Sequence, residues 1–509
     1  MKSIASLAVA FLSLLSSAAA DTNVAGPSVS KVTLPSTFKP PQVFKNANLV
    51  HAISLEKNFA KESINVVIEN VSKEPQLEYF LPFTGQQMER IGGIEVKDRK
   101  DATATGFGIE PVEFDPLRYD LVAEVPETTA NGFSDTQFYR IRLPKALAPA
   151  AQQTLGISFY FLQAYTPLPA AIEQSEKQYL VYPFSAYAHS AYPTLKQKTE
   201  VKFPSSDIPD YTTIAGTGDI KEFPEKQGSK LTYGPFPEVP AGAVSPVQVR
   251  FEFTKPVTHV SLLERDVEVS HWGGNVAFEE RYTLFNRGAN LSTLFNRVKW
   301  AQSQYFNPQT YALKELKFTL QGGSKDAYFT DIIGNVSTSR FRSNRREASL
   351  EIKPRYPIFG GWKYPFTIGW NSDSKSFLKK TSGDGYLLKV PFLEGPKQAE
   401  GVEYEQIHLQ VLLPEGAENV KYYTSIPDSS ITESTVDLQR TYLDTVGRTV
   451  LTIKARNIPD DFRDRELYVS YDYSFIASLR KPLVIFGSVM SVFVGTWLLS
   501  KIELKFSSK

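Results

Sequence analysis

Leu467-Tyr468-Val469-Ser470-Tyr471-Asp472-Tyr473-Ser474-Phe475 places a large apolar side chain at every second position and the polar ones between them. A period of two is the mark of an extended strand with one buried and one wet face. The same period occurs upstream, where Val247, Val249, Phe251 and Phe253 alternate with Gln248, Arg250, Glu252 and Thr254. Shorter runs occur at Leu316-Phe318-Leu320, Ile407-Leu409-Val411 and Leu451-Ile453-Ala455, and long stretches of helical periodicity are hard to find. The expected fold is therefore mainly β, with packed antiparallel sheets.

Just beyond this strand the chain changes character. Pro482 to Ser500 carries no charge, and at 1.5 Å per residue the run makes about 28 Å of helix, close to the thickness of the endoplasmic reticulum bilayer. A transmembrane helix over 482–500 and a cytosolic tail over 501–509 are expected. Lys501, Lys505 and Lys509 follow the span, which is unlike a glycolipid-anchor signal, whose tail ends apolar. At the other end, Met1-Lys2, an apolar run from Ile4 to Leu15 and the small residues Ser16 to Ala20 have the form of a cleaved secretory signal peptide, 1–20. That fixes a type I topology with the sheets in the lumen, although Arg480 and Lys481 on that side weaken the usual charge bias.

The chain has 509 residues, 56 Lys and Arg against 55 Asp and Glu, and no Cys. A net charge of +1 provides no basic field for nucleic acid. Without Cys there is no disulfide, thiolate zinc site, iron–sulfur cluster or Cys nucleophile. Stability has to come from a large core.

A weak internal repeat suggests how the sheets are organised. Ser54-Leu55 and Tyr179-Leu180 recur at one common spacing as Ser261-Leu262 and Tyr386-Leu387; Phe203-Pro204 then matches Leu413-Pro414, and Phe251-Glu252-Phe253 matches Tyr471-Asp472-Tyr473. Two tandem β-sandwich-like lumenal domains are expected, at 46–255 and 256–477, after a proline-bearing extended arm at 21–45.

Residues that could carry chemistry are few. His51, His189, His259, His271 and His408 show no H-E-x-x-H spacing, and neither a nucleophile elbow nor a phosphate-cradling loop is present. Glu279 and Glu280 are adjacent in a strand-like stretch and point to opposite faces, which excludes a joint acid–base role. No catalytic residue, metal site or cofactor is expected. Asn70-Val71-Ser72, Asn290-Leu291-Ser292 and Asn335-Val336-Ser337 are N-glycosylation sequons. In the span, Gly487, Ser491 and Gly495 recur every fourth residue and form a small-residue stripe for packing against another membrane helix. In the stretch Lys353 to Lys363, prolines and glycines block ladder pairing, and Arg355, Tyr356, Phe359 and Trp362 are candidate partner contacts; the competing reading folds Phe359 and Trp362 back into their own core.

From the middle of the chain onward, QSEKQ (174–178), SAYPT (190–194), YGPF (233–236), VSHWGGNVAFEE (269–280), DIIGNVSTS (331–339), EIKPRYPIFGGWK (351–363), LLPEGAENV (412–420) and TYLDTVGR (441–448) resemble, in the same order, the ribophorin I family, alpha subunits of the eukaryotic oligosaccharyltransferase. Residues 21–170 follow it by position only. The short tail resembles that of the fungal members, without the long cytosolic extension. The resemblance implies a non-catalytic structural subunit of the endoplasmic reticulum complex that moves a preassembled oligosaccharide from dolichyl diphosphate to the Asn of sequons in nascent proteins. It implies as partners the other subunits, including a multi-spanning catalytic one, and contacts with nascent polypeptide and the translocation machinery. Read without the family, a type I cell-surface adhesion or receptor protein built of β-sandwiches suits the ends and composition equally, though such proteins commonly carry disulfides.

Overall fold

The computed structural model describes residues 34, 38–100, 106–112, 136–216, 222–306, 309–381, 383–440 and 444–501. The expected signal peptide, the arm up to residue 33 and the tail beyond Lys501 lie outside the described residues. By contact the chain divides into residues 1–38 with 113–135, and residues 39–112 with 136–509. All that follows concerns the second unit.

Its sequence folds into two successive sets of strands. The first contains β1 (Phe44–Ser54), β2 (Ala60–Asn70), β3 (Ile91–Asp98), β4 (Gln152–Phe161), β5 (Tyr179–Ser185), β6 (Gln197–Lys202), β7 (Lys230–Phe236) and β8 (Pro246–Glu252). The second contains β9 (Thr258–Ser270), β10 (Asn275–Asn286), β11 (Lys325–Asp331), β12 (Lys363–Asp373), β13 (Gly385–Pro391), β14 (Glu403–Glu415), β15 (Arg448–Pro459) and β16 (Glu466–Asp472). The main sheet of the first set runs β7-β6-β1-β2-β4-β3, and that of the second β15-β14-β9-β10-β12-β11, each with further short edge strands. In both, one neighbour pair is parallel, β1 with β6 and β9 with β14, and the other pairs are antiparallel. A smaller sheet is built on β5 paired with β8 in the first set and on β13 paired with β16 in the second. The topology is thus repeated strand for strand, and the matched strings fall on or beside equivalent strands: 54–55 and 261–262 at β1 and β9, 179–180 and 386–387 at β5 and β13.

Alternation explains why the layers pack. Along β10 every second residue is buried, Val276, Phe278, Glu280, Tyr282 and Leu284 facing inward. Leu388 and Val390 of β13 and Val469 and Tyr471 of β16 share one core with Val267, Phe278, Ile368 and Trp370 of the main sheet. In the first set, Tyr182 of β5 donates to Glu62 of β2, and Phe184 meets the Tyr233 ring of β7 edge-on at 5.8 Å. Inward Glu280 and outward Glu279 lie on opposite faces, as adjacent strand residues must.

The two sets meet along a polar and aromatic seam. Asp461 accepts from Lys57 (2.6 Å), Lys61 (3.0 Å) and the Tyr160 hydroxyl (3.0 Å). Tyr160 also stands edge-on to Phe462 at 5.5 Å. The Asn457 amide donates to the carbonyls of Glu89 and Ile91 at 2.8 and 2.9 Å, and Arg465 pairs with Glu95 at 2.6 Å. Backbone approaches so closely here that a Cβ on Gly92 would lie 1.8 Å from the Asn457 carbonyl oxygen, so this position requires glycine.

Two longer helices accompany the strands. α1 (Arg297–Phe306) buries no residue, and α2 (Phe475–Ser500) is long and apolar enough to cross a membrane. α2 begins earlier than the uncharged run. The Ser474 hydroxyl accepts from the Ala477 amide at 3.2 Å and caps the helix, so Phe475, the last apolar position of the expected strand, is helical and β16 stops at Asp472.

Candidate functional site: sequons, an aromatic loop and the membrane helix

His51, His259 and His408 lie in strands, and His189 and His271 in the connections beside them. His51 of β1 bonds Glu62 of β2 at 2.8 Å, both buried on the inward face. The Glu62 carboxyl is fully buried, yet the imidazole of His51 and the hydroxyl of Tyr182 hold its pKa below the usual range. His259 sits between Glu403 (3.0 Å) and Glu405 (3.1 Å), where burial opposes its charge and the two carboxylates outweigh that, raising its pKa. His271 bonds the Tyr471 hydroxyl at 2.9 Å. Burial lowers the pKa of His189, His271 and His408. Among the described residues no group of three or more His, Asp or Glu could hold a metal ion. The His–Glu pairs were missed in the sequence because they form across strands; the only signal for them was the inward phase of each residue in its own alternation.

The sequons differ sharply. Asn70 is buried at the end of β2, its amide donating to the carbonyls of Glu74 and Leu147 at 2.8 and 2.7 Å while its oxygen accepts from the Ser72 amide and hydroxyl. Asn335 is exposed on a tight turn in which the Asp331 carboxylate accepts from the amides of Ile333 and Gly334. Asn290 is also exposed, at the edge of an open groove of about 510 Å³ lined by Gln163, His259, Phe285 and Arg287.

The loop between residues 352 and 363 is drawn inward by its aromatics. Phe359 is fully buried with Ile172, Ala289, Tyr311 and Ala312, and Trp362 packs against that cluster, its ring 5.6 Å from Phe359. Phe359 is therefore not a partner contact as its aromatic and basic setting allowed; it is folded back into the core, and what covers it is remote in sequence. Arg355 clamps the sequon turn, bonding Asp331 at 2.5 Å and the carbonyls of Gly334 and Asn335. Only Arg355 and Tyr356 of the four candidates are exposed.

Along α2, Gly487 and Ser491 are exposed and Gly495 is partly exposed, and no atom lies within 4 Å of a Cβ built on either glycine. The Ser491 hydroxyl turns back to the Ser488 carbonyl at 2.7 Å, so it leaves no unpaired donor toward lipid.

Residues 44–500 match the family described as Ribophorin I. The chain is 30% identical over 467 residues to dolichyl-diphosphooligosaccharide–protein glycosyltransferase subunit 1 of Caenorhabditis elegans, covering 91% of this chain and 73% of that one. It is 28% identical to subunit 1 of Schizosaccharomyces pombe over 87% and 92% of the two chains, and 28% identical to subunit 1B of Arabidopsis thaliana over 93% and 96%. A solved M1 zinc metallopeptidase from Deinococcus radiodurans overlaps 42% of each chain at 12% identity with a TM-score of 0.25, which carries no argument.

Proposed function

Because the chain belongs to the ribophorin I family, we propose that it is a non-catalytic, membrane-anchored subunit of the oligosaccharyltransferase complex, acting in protein N-glycosylation. The observation that carries this is the match over 44–500 together with relatives named subunit 1 along most of both lengths. The non-catalytic part is supported by the internal commitments of the histidines and buried acids to cross-strand partners. We place the sheets in the endoplasmic reticulum lumen, with α2 crossing the membrane as a type I anchor beside other subunits, and take the repeated topology to support two domains, 46–255 and 256–477. No observation favours the adhesion reading.

The test combines two assays. Affinity purification of the full chain in mild detergent should recover several membrane subunits with transfer activity, whereas the purified chain alone should transfer no glycan from a lipid-linked donor to a sequon peptide. Transfer by the chain alone would overturn the non-catalytic assignment.

Two finer expectations follow. Asn335→Gln should lower the intact mass by one glycan, because Asn335 is open to solvent, and Asn70→Gln should not, because the Asn70 amide is consumed inside the fold. Mass spectrometry of the secretory-pathway protein reads both directly.

Association in lipid depends on close helix packing. Gly487→Leu with Gly495→Leu should therefore reduce recovery of partner subunits, while Val484→Leu with Val494→Leu should not. Equal recovery from both double variants would leave the sheets as the main attachment.

A further inference from the structure

The tip of the β9–β10 hairpin, His271-Trp272-Gly273-Gly274, carries a tryptophan with 66% of its surface exposed. Its indole N–H is nevertheless committed, donating to the Ser478 carbonyl oxygen of α2 at 2.7 Å. The helix itself explains why that carbonyl is available. In an α-helix the carbonyl of Ser478 would accept from the amide of residue 482, and residue 482 is proline, which has none. Pro482 thus leaves an orphan acceptor one turn above the uncharged run, and a side chain from the sheet region takes it.

The level of this contact points to its surroundings. Ser478 precedes Pro482 by four residues, about 6 Å along the axis, and the interfacial layer of a bilayer is roughly 5–8 Å deep on each side. In the turn of α2 that precedes Ser478, Phe475 and Ile476 are 74% and 80% exposed. Below them Lys481 pairs with Asp444 at 2.6 Å, and nearby Arg448 pairs with Glu268. Lys481 and Arg448 are thus matched within the fold, Arg480 adds a basic group of the kind that sits among headgroups, and beside them the rim presents the apolar Phe475 and Ile476 outward. Tryptophan, with one polar tip and a large apolar body, is enriched at this depth in membrane proteins.

We propose that the β9–β10 hairpin tip is a membrane-surface foot: Trp272 lies in the interfacial lipid layer on the sheet side of the bilayer, latched to the spanning helix through the Ser478 carbonyl that Pro482 leaves free. The partner of this surface is lipid, and the latch fixes how the second strand set stands on the membrane. The inference rests on α2 spanning the bilayer.

The absence of cysteine makes a direct test practical, since single Cys residues can be introduced without background. The full chain is reconstituted alone in phosphatidylcholine nanodiscs with an environment-sensitive fluorophore at Trp272→Cys, Ile476→Cys, Val489→Cys or Leu294→Cys. Leu294 is 94% exposed and follows β10 at the end opposite the hairpin; β10, at about 3.3 Å per residue, holds it far from the bilayer. Labels at 272 and 476 should lose emission to spin-labelled lipid carrying the nitroxide near the headgroup, that at 489 to lipid carrying it deep in the acyl chain, and that at 294 to neither. Because the label removes the indole, the unlabelled chain is measured too: Trp272→Phe should lose part of the shallow, bromolipid-quenchable tryptophan emission, and Trp300→Phe should not. Pro482→Ala, which restores the missing amide and competes for Ser478, should make the Trp272 component less quenchable. No loss of emission at 489 would overturn both the span and the foot. Quenching at 489 with none at 272, and an unchanged shallow component in Trp272→Phe, would overturn the foot alone.

Discussion

Arg265→Met is expected to remove about 3–5 kcal/mol of stability, the effect of stranding a buried charge. The Arg265 side chain is wholly buried between the layers of the second strand set, paired with the equally buried Glu280, and 3.3 Å from Glu394. Its guanidinium also lies over the Phe278 ring at 5.3 Å. Methionine fills much of that volume but supplies no charge. Glu280 then keeps only the Tyr282 hydroxyl, 2.6 Å away, and Glu394, whose pKa burial already raises to about 7 against the pull of Arg265, is pushed further toward its neutral form. Arg265→Met with Glu280→Gln should regain much of the loss, because the amide still accepts from Tyr282 and no charge is left stranded. The readout is the urea midpoint. A shift for Arg265→Met no larger than that of the exposed Lys317→Met would show that the cluster adds nothing to stability.

Gly92→Val should open the seam between the two strand sets. The new Cβ would lie 1.8 Å from the Asn457 carbonyl oxygen and 2.7 Å from the Asn457 Cβ. Asn457 cannot simply turn aside, since it sits at a positive φ of 52° with its amide bonded to Glu89 and Ile91. Overpacking of this kind costs about 1–3 kcal/mol, and here the loss falls on the joint and not on either sheet. Calorimetry should show one transition for the wild type and two for the variant, with protease nicking near the 253–258 connection in the variant alone. Gly108→Ala, whose Cβ would meet nothing closer than 3.9 Å, is the matched control. One unshifted transition in Gly92→Val would mean that the seam yields without cost.

The strands were legible in the sequence because a sheet with one buried face writes a period of two into the chain, and the strings at 247–252 and 467–471 lie on β8 and β16. The reading failed at Phe475 because Ser474 fits two roles, the polar member of an alternation and a helix cap. α1 left no trace, since a helix that buries nothing needs no apolar stripe. Arg480 and Lys481 hid the first turns of α2 by breaking the uncharged run. At the candidate sites the sequence identified residue types but not their neighbours: whether Phe359 faced a partner or its own core turned on Tyr311 and Ile172, remote in sequence, and the Asn70 sequon differs from that at Asn290 only in the fold around it.

That last difference sets an order of events in time. Both protons of the Asn70 amide are used to hold the end of β2 against the carbonyls of Glu74 and Leu147. An asparagine bearing a sugar retains only one such proton, and no saccharide fits beside a side chain sealed from solvent. Closing this corner and modifying this residue are therefore mutually exclusive, and whichever is faster on the newly made chain forecloses the other. The unchanged mass expected of Asn70→Gln therefore corresponds to closure outrunning modification, a ratio of rates invisible in the tripeptide itself.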